Sequence, residues 1–403
     1  MKFSKLRQLF LVSSIGLLVA TFLTACQIVT IDYVFVASSA GSGAGSNGQI
    51  NIYAGDAATG ALRVIDPAVS SGGTNPVAMA TTSDYENLYV VNQGNKSVVH
   101  FAIALSGALT QKDTVTTSFT PVSIAVNAAD TYLYVVGGTS PAEVAVYPLT
   151  SGAIGSLATS MTLSVPGFAG DTLVPTGVAA LTNNNVVYVT AYDQSAYNPG
   201  GSTTSSANPG WVFGYTVGSG GALTAALGSP FKAGIKPSAI VADPTNSYVY
   251  VTDYAQNQLI GYGIQSGSTL DFLINGPFRT GCQPAALVID PRGKFLYVAN
   301  SLDSSVSAFA IDLSTGTPSG TANPTGGSTN TTDTQPVAIT ADPAVGRFLY
   351  TANHLGNSIS GFILDPTAGT LTLTQATPYP TGSAPTALVS IPNGNHSVQS
   401  ITP

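Results

Sequence analysis

The stretch Gln283-Pro-Ala-Ala-Leu-Val-Ile-Asp-Pro-Arg-Gly-Lys-Phe-Leu-Tyr-Val-Ala-Asn300 decides the fold, because the chain repeats it. It returns as KPSAIVADPTNSYVYVTD from Lys236 to Asp253 and as QPVAITADPAVGRFLYTAN from Gln335 to Asn353. Weaker copies start at Pro76, Pro121 and Pro175, and a last one at Pro385. Subtracting residue numbers places successive prolines 45, 54, 62, 47, 52 and 49 residues apart. In six copies a tyrosine follows at a nearly fixed offset: Tyr89, Tyr134, Tyr188, Tyr250, Tyr297 and Tyr350. A period of this length marks a structural unit that cannot bury its faces alone and must stack on its neighbours.

Each copy parses into four short strands. Ala285 to Ile289 is apolar on both faces, as a fully buried strand must be. Asp290-Pro-Arg-Gly is a tight turn, since Pro fixes φ and Gly accepts positive φ. Phe295 to Asn300 is a second strand, rich in the residues that suit a pleated surface. Ser305 to Ile311 alternates apolar residues with Ser, which predicts a third strand with one drier face. A turn of the form Thr/Ser-Gly-x-Leu follows the third strand, as at Thr59-Gly60-Ala61-Leu62, Ser106-Gly107-Ala108-Leu109 and, in variant form, Ala368-Gly369-Thr370-Leu371. It is a glycine-assisted hairpin into an outer fourth strand.

Four antiparallel strands per unit, with no helical period after the N-terminal segment, predict an all-β, seven-bladed β-propeller. The seventh unit is incomplete at its C-terminal end, and the start of the chain supplies what it lacks. Asp32 to Ala37 resembles a second strand, Gln49 to Ala54 a third and Leu62 to Ile65 an outer one, so the last blade is expected to combine them with Pro385 to Ile391. Ser397 to Thr402 is a rival for the second-strand place. One propeller domain over 31–403 is therefore expected, as a monomer.

The first 25 residues read as an export signal. Lys2, Lys5 and Arg7 precede a short apolar run from Leu9 to Leu18, too short for a good membrane span. Leu23-Thr24-Ala25-Cys26 resembles the bacterial lipobox, which implies a lipid on Cys26, a short tether over 26–30, and attachment to a membrane. Gln27 after the cysteine points to the outer membrane. The alternative is an ordinary signal peptide with an incidental cysteine. Losing residues 1–25 takes the net charge from −7 to about −10, a poor match for nucleic acid. Charged residues are only 8% of the chain, far below the roughly 25% of average soluble domains. Cys26 and Cys282 are the only cysteines, so with Cys26 lipidated no intramolecular disulfide is expected.

The strings YVxN and DPxGxFLYVAN, with the connector Ser/Gly/Thr-Pro-Phe/Tyr-x-x-Gly-x-x-Pro at Ser229 to Pro237, Gly276 to Pro284 and Thr377 to Pro385, resemble the lactonase-family seven-bladed propellers. That family includes a bacterial 6-phosphogluconolactonase and a fungal muconate-lactonizing enzyme, and it overlaps the YVTN-repeat surface proteins. The resemblance covers residues 30 to 392 and implies the fold. Active members place an Arg-His pair before the inner strand and a Glu after YVxN. Here the pre-strand pairs are Asn75-Pro76, Lys236-Pro237, Gln283-Pro284 and Gln335-Pro336, and the post-strand residues are Asn92, Asp253, Asn300 and Asn353. Neither His nor Glu stands where that motif needs it.

If inner strands start at the top, the loops before each Pro and after each YVxN open on one face. That face would gather Lys236, Arg279, Gln283, Gln335, Asn92, Asp253, Tyr254, Asn300, Asn353 and His354. Asp253, His354, Lys236 and Arg279 are the candidates for hydrolytic chemistry, which needs an acid or base and a cation to hold a developing anion. The structural alternative is that Asn and Asp cap turns by bonding the backbone, since the residue type recurs blade after blade. The longest interval carries a Gly/Ser/Asn-rich insertion from Tyr192 to Trp211, with Tyr192, Tyr197 and the only Trp, overhanging the same face. Ser314 to Thr334 is a second low-complexity stretch. His100, in a third strand, and His396, near the end, give no metal-ligand spacing, so neither metal nor other cofactor is expected. The chain is expected to bind a carbohydrate, a peptide or a protein partner on its top face, with Asn92, Tyr192, Trp211, Tyr254, Gln283, Asn300, Gln335 and Asn353 as contacts. Its rivals are an extracytoplasmic lactonase and a purely structural envelope protein.

Overall fold

The computed structural model describes residues 29–39, 47–167, 172–183, 185–194, 210–320 and 329–394. The export signal, Cys26, Tyr197 and most of the insertion, His396 and the rival strand after Ser397 lie outside them, as does part of the stretch before Thr334.

Seven antiparallel sheets make the molecule, each ordered from a central inner strand to the rim. The inner strands are Pro76–Thr81, Pro121–Val126, Leu173–Ala180, Pro237–Ala242, Pro284–Ile289, Pro336–Ala341 and Pro385–Pro392, opening blades one to seven. Each touches the next, and the seventh touches the first, so the ring is closed. Blade seven is composite: Pro385–Pro392 pairs Thr30–Ser38, then come Gln49–Asp56 and Leu62–Ser70. The junction is pinned where the Asn393 amide donates to the Thr30 carbonyl at 2.8 Å.

The repeated tyrosine and the repeated Gly turn belong to one device. The Tyr89 hydroxyl donates to the Gly152 carbonyl at 2.7 Å, and Tyr250 does the same to Gly316 at 2.6 Å and Tyr297 to Gly369 at 2.9 Å. Each bond runs from the second strand of one blade to the outer hairpin of the next, bolting neighbours together. Burying such a side chain stabilises the fold by roughly 1.5–3 kcal/mol, and its hydroxyl must then find a partner.

Two features differ from the sequence expectation. The third strands are dry on both faces, as in Ser305–Ile311, because a neighbouring blade covers the side that an isolated sheet would leave to water. Outer strands in blades two to six come in two pieces. In blade four, Leu270–Phe272 pairs one end of the third strand and Phe278–Arg279 the other, and the connector proline between them has no N–H to give the ladder. The only helical turns among the described residues are single 3-10 turns in Ser-Gly hairpins, at Ser219–Gly221 and Ser266–Ser268.

Candidate functional site

Pairing fixes which residues share the top face. Pro237 lies opposite Asp253, Pro284 opposite Asn300, Pro336 opposite Asn353 and Pro76 opposite Asn92. All four acidic or amide residues are fully buried. Asn92 receives the Ser71 hydroxyl at 2.7 Å and donates to the Ser71 carbonyl at 2.9 Å. Asn300 and Asn353 each donate to two third-strand serines, Ser305 and Ser307 or Ser358 and Ser360, at 2.9–3.1 Å. These bonds fix the loops of the rim, and the side chains are closed to a ligand.

Asp253 does the same work with a charge. Its carboxylate accepts the backbone N–H groups of Ile235 (2.9 Å), Lys236 (3.0 Å) and Ala255 (3.0 Å) and the side-chain amide of Gln258 (3.2 Å). A carboxylate so occupied is a strut for the loop before blade four. Gly234 makes the fit possible: it sits at φ +70°, and a Cβ there would collide with the Asp253 carboxylate. The loop so held presents Lys236.

Lys236 is where the top face becomes chemically distinctive. Its Nζ lies 4.6 Å from the ring centre of Tyr254 and 5.4 Å from that of Tyr192, the penultimate residue of the second strand of blade three, Val186–Asp193. Two aromatic faces attract the ammonium electrostatically. Burial lowers the lysine pKa, because the charged form loses hydration. The Tyr254 hydroxyl donates to Gln283 Oε1 at 2.7 Å, and the backbone N–H of Gln283 donates to Asn257 Oδ1 at 2.7 Å. Blades three, four and five thus contribute one cation, two ring faces and an amide to one half-buried patch.

The remaining predicted residues occupy other strands and loops of the ring. His354 places Nδ1 3.1 Å from the Pro385 carbonyl, at the junction of blades six and seven. Gln335 holds φ +62° and donates its backbone N–H to Ser304 Oγ at 3.3 Å. Arg279 is exposed on the outer piece of blade four, opposite Gln258. Trp211 pairs with Lys232 on the outer side of blade three. His100 is buried, 2.8 Å from both Asp113 and Asn87 and stacked on Tyr89. It ties strands of blade one together.

Asn257 was not legible as a site-building residue. Its equivalent Asn357 accepts the Ala384 N–H at 2.7 Å, and both hold positive φ one residue before a third strand. An Asn recurring at that offset is the signal that would have found it. Among the described residues no three His, Cys, Asp or Glu side chains converge as a metal site would require. A cavity of about 870 Å³ opens on the opposite face between blades seven, one and two, beside Tyr33, Tyr85, Asp84 and Asp130. A cleft of about 540 Å³ opens on the top face between blades one and two, beside Gln93, Lys96 and Glu143.

Comparison with known proteins fits this architecture. The family described as "Lactonase, 7-bladed beta-propeller" matches residues 46–169 and 239–398, more than half of the chain. A periplasmic gluconolactonase of Pseudomonas aeruginosa superposes with a TM-score of 0.71 at 20% identity, over 90% of this chain and 99% of its own. A putative 6-phosphogluconolactonase from Bacteroides uniformis gives 0.73 at 17% identity, over 90% and 100%. One from Bacteroides fragilis gives 0.70 at 18%, over 90% and 98%. No curated protein matches.

Proposed function

The chain belongs to the lactonase family of seven-bladed β-propellers, and from that premise we propose that it is a binding propeller whose top face takes a carbohydrate at Lys236. The observation that carries the reading is the meeting of Lys236, Tyr192, Tyr254 and Gln283. Ring faces stack on the apolar face of a sugar, the amide and phenol orient its hydroxyls, and the ammonium holds an acidic group. The strut role of Asp253 and the absence of the Arg-His pair and Glu from their family positions favour binding over turnover. Titration calorimetry with neutral sugars, aldonates and uronates tests it. Lys236→Met is expected to weaken an acidic sugar by about tenfold, the worth of one charge-assisted hydrogen bond. Retention of full affinity in both Lys236→Met and Tyr254→Ala would refute the site.

The second reading, lactone hydrolysis, is favoured by the family itself. Lys236 would then hold the developing carboxylate. A lactone panel assayed with the wild type and Lys236→Met separates the two, since binding without ring opening sinks this reading. We further propose an extracytoplasmic location with lipid on Cys26, in the outer membrane, supported by Leu23-Thr24-Ala25-Cys26 followed by Gln27. Metabolic labelling with a palmitate analogue, lost in Cys26→Ser, checks this.

A further inference from the structure

The course of the first described strand says which way an anchored propeller faces. Inner strands start at the top, and Ser38 pairs with Pro385 at the start of one while Asp32 pairs with Pro392 at its end. Thr30–Ser38 therefore runs upward, and the chain enters the fold on the bottom face. The entry is fixed: the Val29 carbonyl accepts the Ala57 N–H at 2.8 Å, and the Thr30 carbonyl accepts the Asn393 amide. Only four chain steps separate Cys26 from Thr30. Fully extended they span at most about 14 Å. A six-residue inner strand is about 20 Å long, so the segment cannot pass from the bottom face to the top.

Two apolar side chains stand beside this entry. Val29 is 54% exposed, and Leu105, in the bottom hairpin of blade one, is 83% exposed and lies next to Gly394. We propose that the protein rests bottom face down on the bilayer, with the Val29 and Leu105 rim of blades seven and one on the lipid surface and the Lys236 patch turned away from it. The inference rests on lipidation of Cys26. Nearby bottom-face acids, Asp84, Glu86 and Asp130, are repelled by anionic headgroups, so the lipid and the apolar rim supply the attachment, and salt, which screens that repulsion, does not weaken it.

The test uses the full lipidated protein in a Cys282→Ser background, with Leu105→Cys or Leu355→Cys carrying a fluorescent maleimide. Leu355 is 63% exposed on the top face, so both positions tolerate the label. In vesicles of phosphatidylethanolamine and phosphatidylglycerol containing a nitroxide-headgroup lipid, the Leu105→Cys probe is expected to be quenched several-fold more than the Leu355→Cys probe. Equal quenching, or stronger quenching at Leu355→Cys, in protein that pellets with the vesicles overturns the orientation alone. Failure to pellet removes the lipid anchor, and the orientation with it.

Discussion

The hydroxyl of Tyr350 donates to the carbonyl of Gly60, 2.9 Å away and 290 residues earlier in the chain. It joins blade six to the N-terminal half of blade seven, so the bolt used between ordinary neighbours here also closes the circle. Gly60 holds φ +67°, and a Cβ there would collide with the Phe348 ring.

Tyr350→Phe removes this donor and leaves the buried Gly60 carbonyl without a partner. The expected loss is about 1–3 kcal/mol of stability, read as a lower urea midpoint with unchanged slope. An unchanged midpoint would mean that closure does not depend on the bond.

Burial pushes the phenols of Tyr53 and Tyr134 up to about 12, and those of Tyr89, Tyr188, Tyr250 and Tyr297 further. A folded pKa above the unfolded value near 10 gives stability that is complete below pH 10 and lost as pH rises beyond it. Alkaline titration is expected to show tyrosinate absorbance appearing together with the loss of β-sheet dichroism. Ionisation of these tyrosines in the intact fold would contradict it.

Asp32 is fully buried with neither carboxylate oxygen bonded to a donor. Burial first, and then the neighbouring Asp342, raise its pKa well above 3.8, and Tyr85 and Tyr350 feel the same pair. The folded pKa exceeds the unfolded one, so the contribution of Asp32 to stability is most favourable below about pH 4 and is lost as pH rises through the folded value. Asp32→Asn supplies a neutral donor to Asp342. At pH 7 it is expected to stabilise the protein by about 1–3 kcal/mol, with the gain shrinking toward pH 4. Melting temperatures of both proteins across that range decide it, and a gain that grows on acidification would reject the assignment.

Gly234→Ala tests the strut without touching a ligand atom. Positive φ and the collision with Asp253 are expected to cost about 1–3 kcal/mol and to displace Lys236. Weakened binding of an acidic sugar by this variant is the supporting result. In the wild type such binding should also decline at a pH below the ordinary lysine value of 10.5, because the Lys236 pKa is lowered.

Blade number and composite closure could be read from sequence because six of the seven inner strands start with Pro, the third carrying it as Pro175 two residues after its start, and Asp32 to Ala37 carries a second-strand pattern without an inner strand before it. The top face followed from strand direction alone. What Asp253 and Asn353 do there depends on side-chain bonds, which a period of two does not specify. The contact of Tyr192 with Lys236 crosses from blade to blade, so no local pattern encodes it. The dry third strands escaped for the same reason: alternation describes one sheet, and the neighbouring blade is a second.

Among the described strands Thr30–Ser38 emerges first during synthesis, and Pro385–Pro392, which covers its inner edge, emerges last. Until then a nearly complete molecule carries an unsatisfied row of backbone donors and acceptors, open to capture by another nascent copy. Productive maturation thus depends on holding the chain apart from its siblings until the final strand arrives.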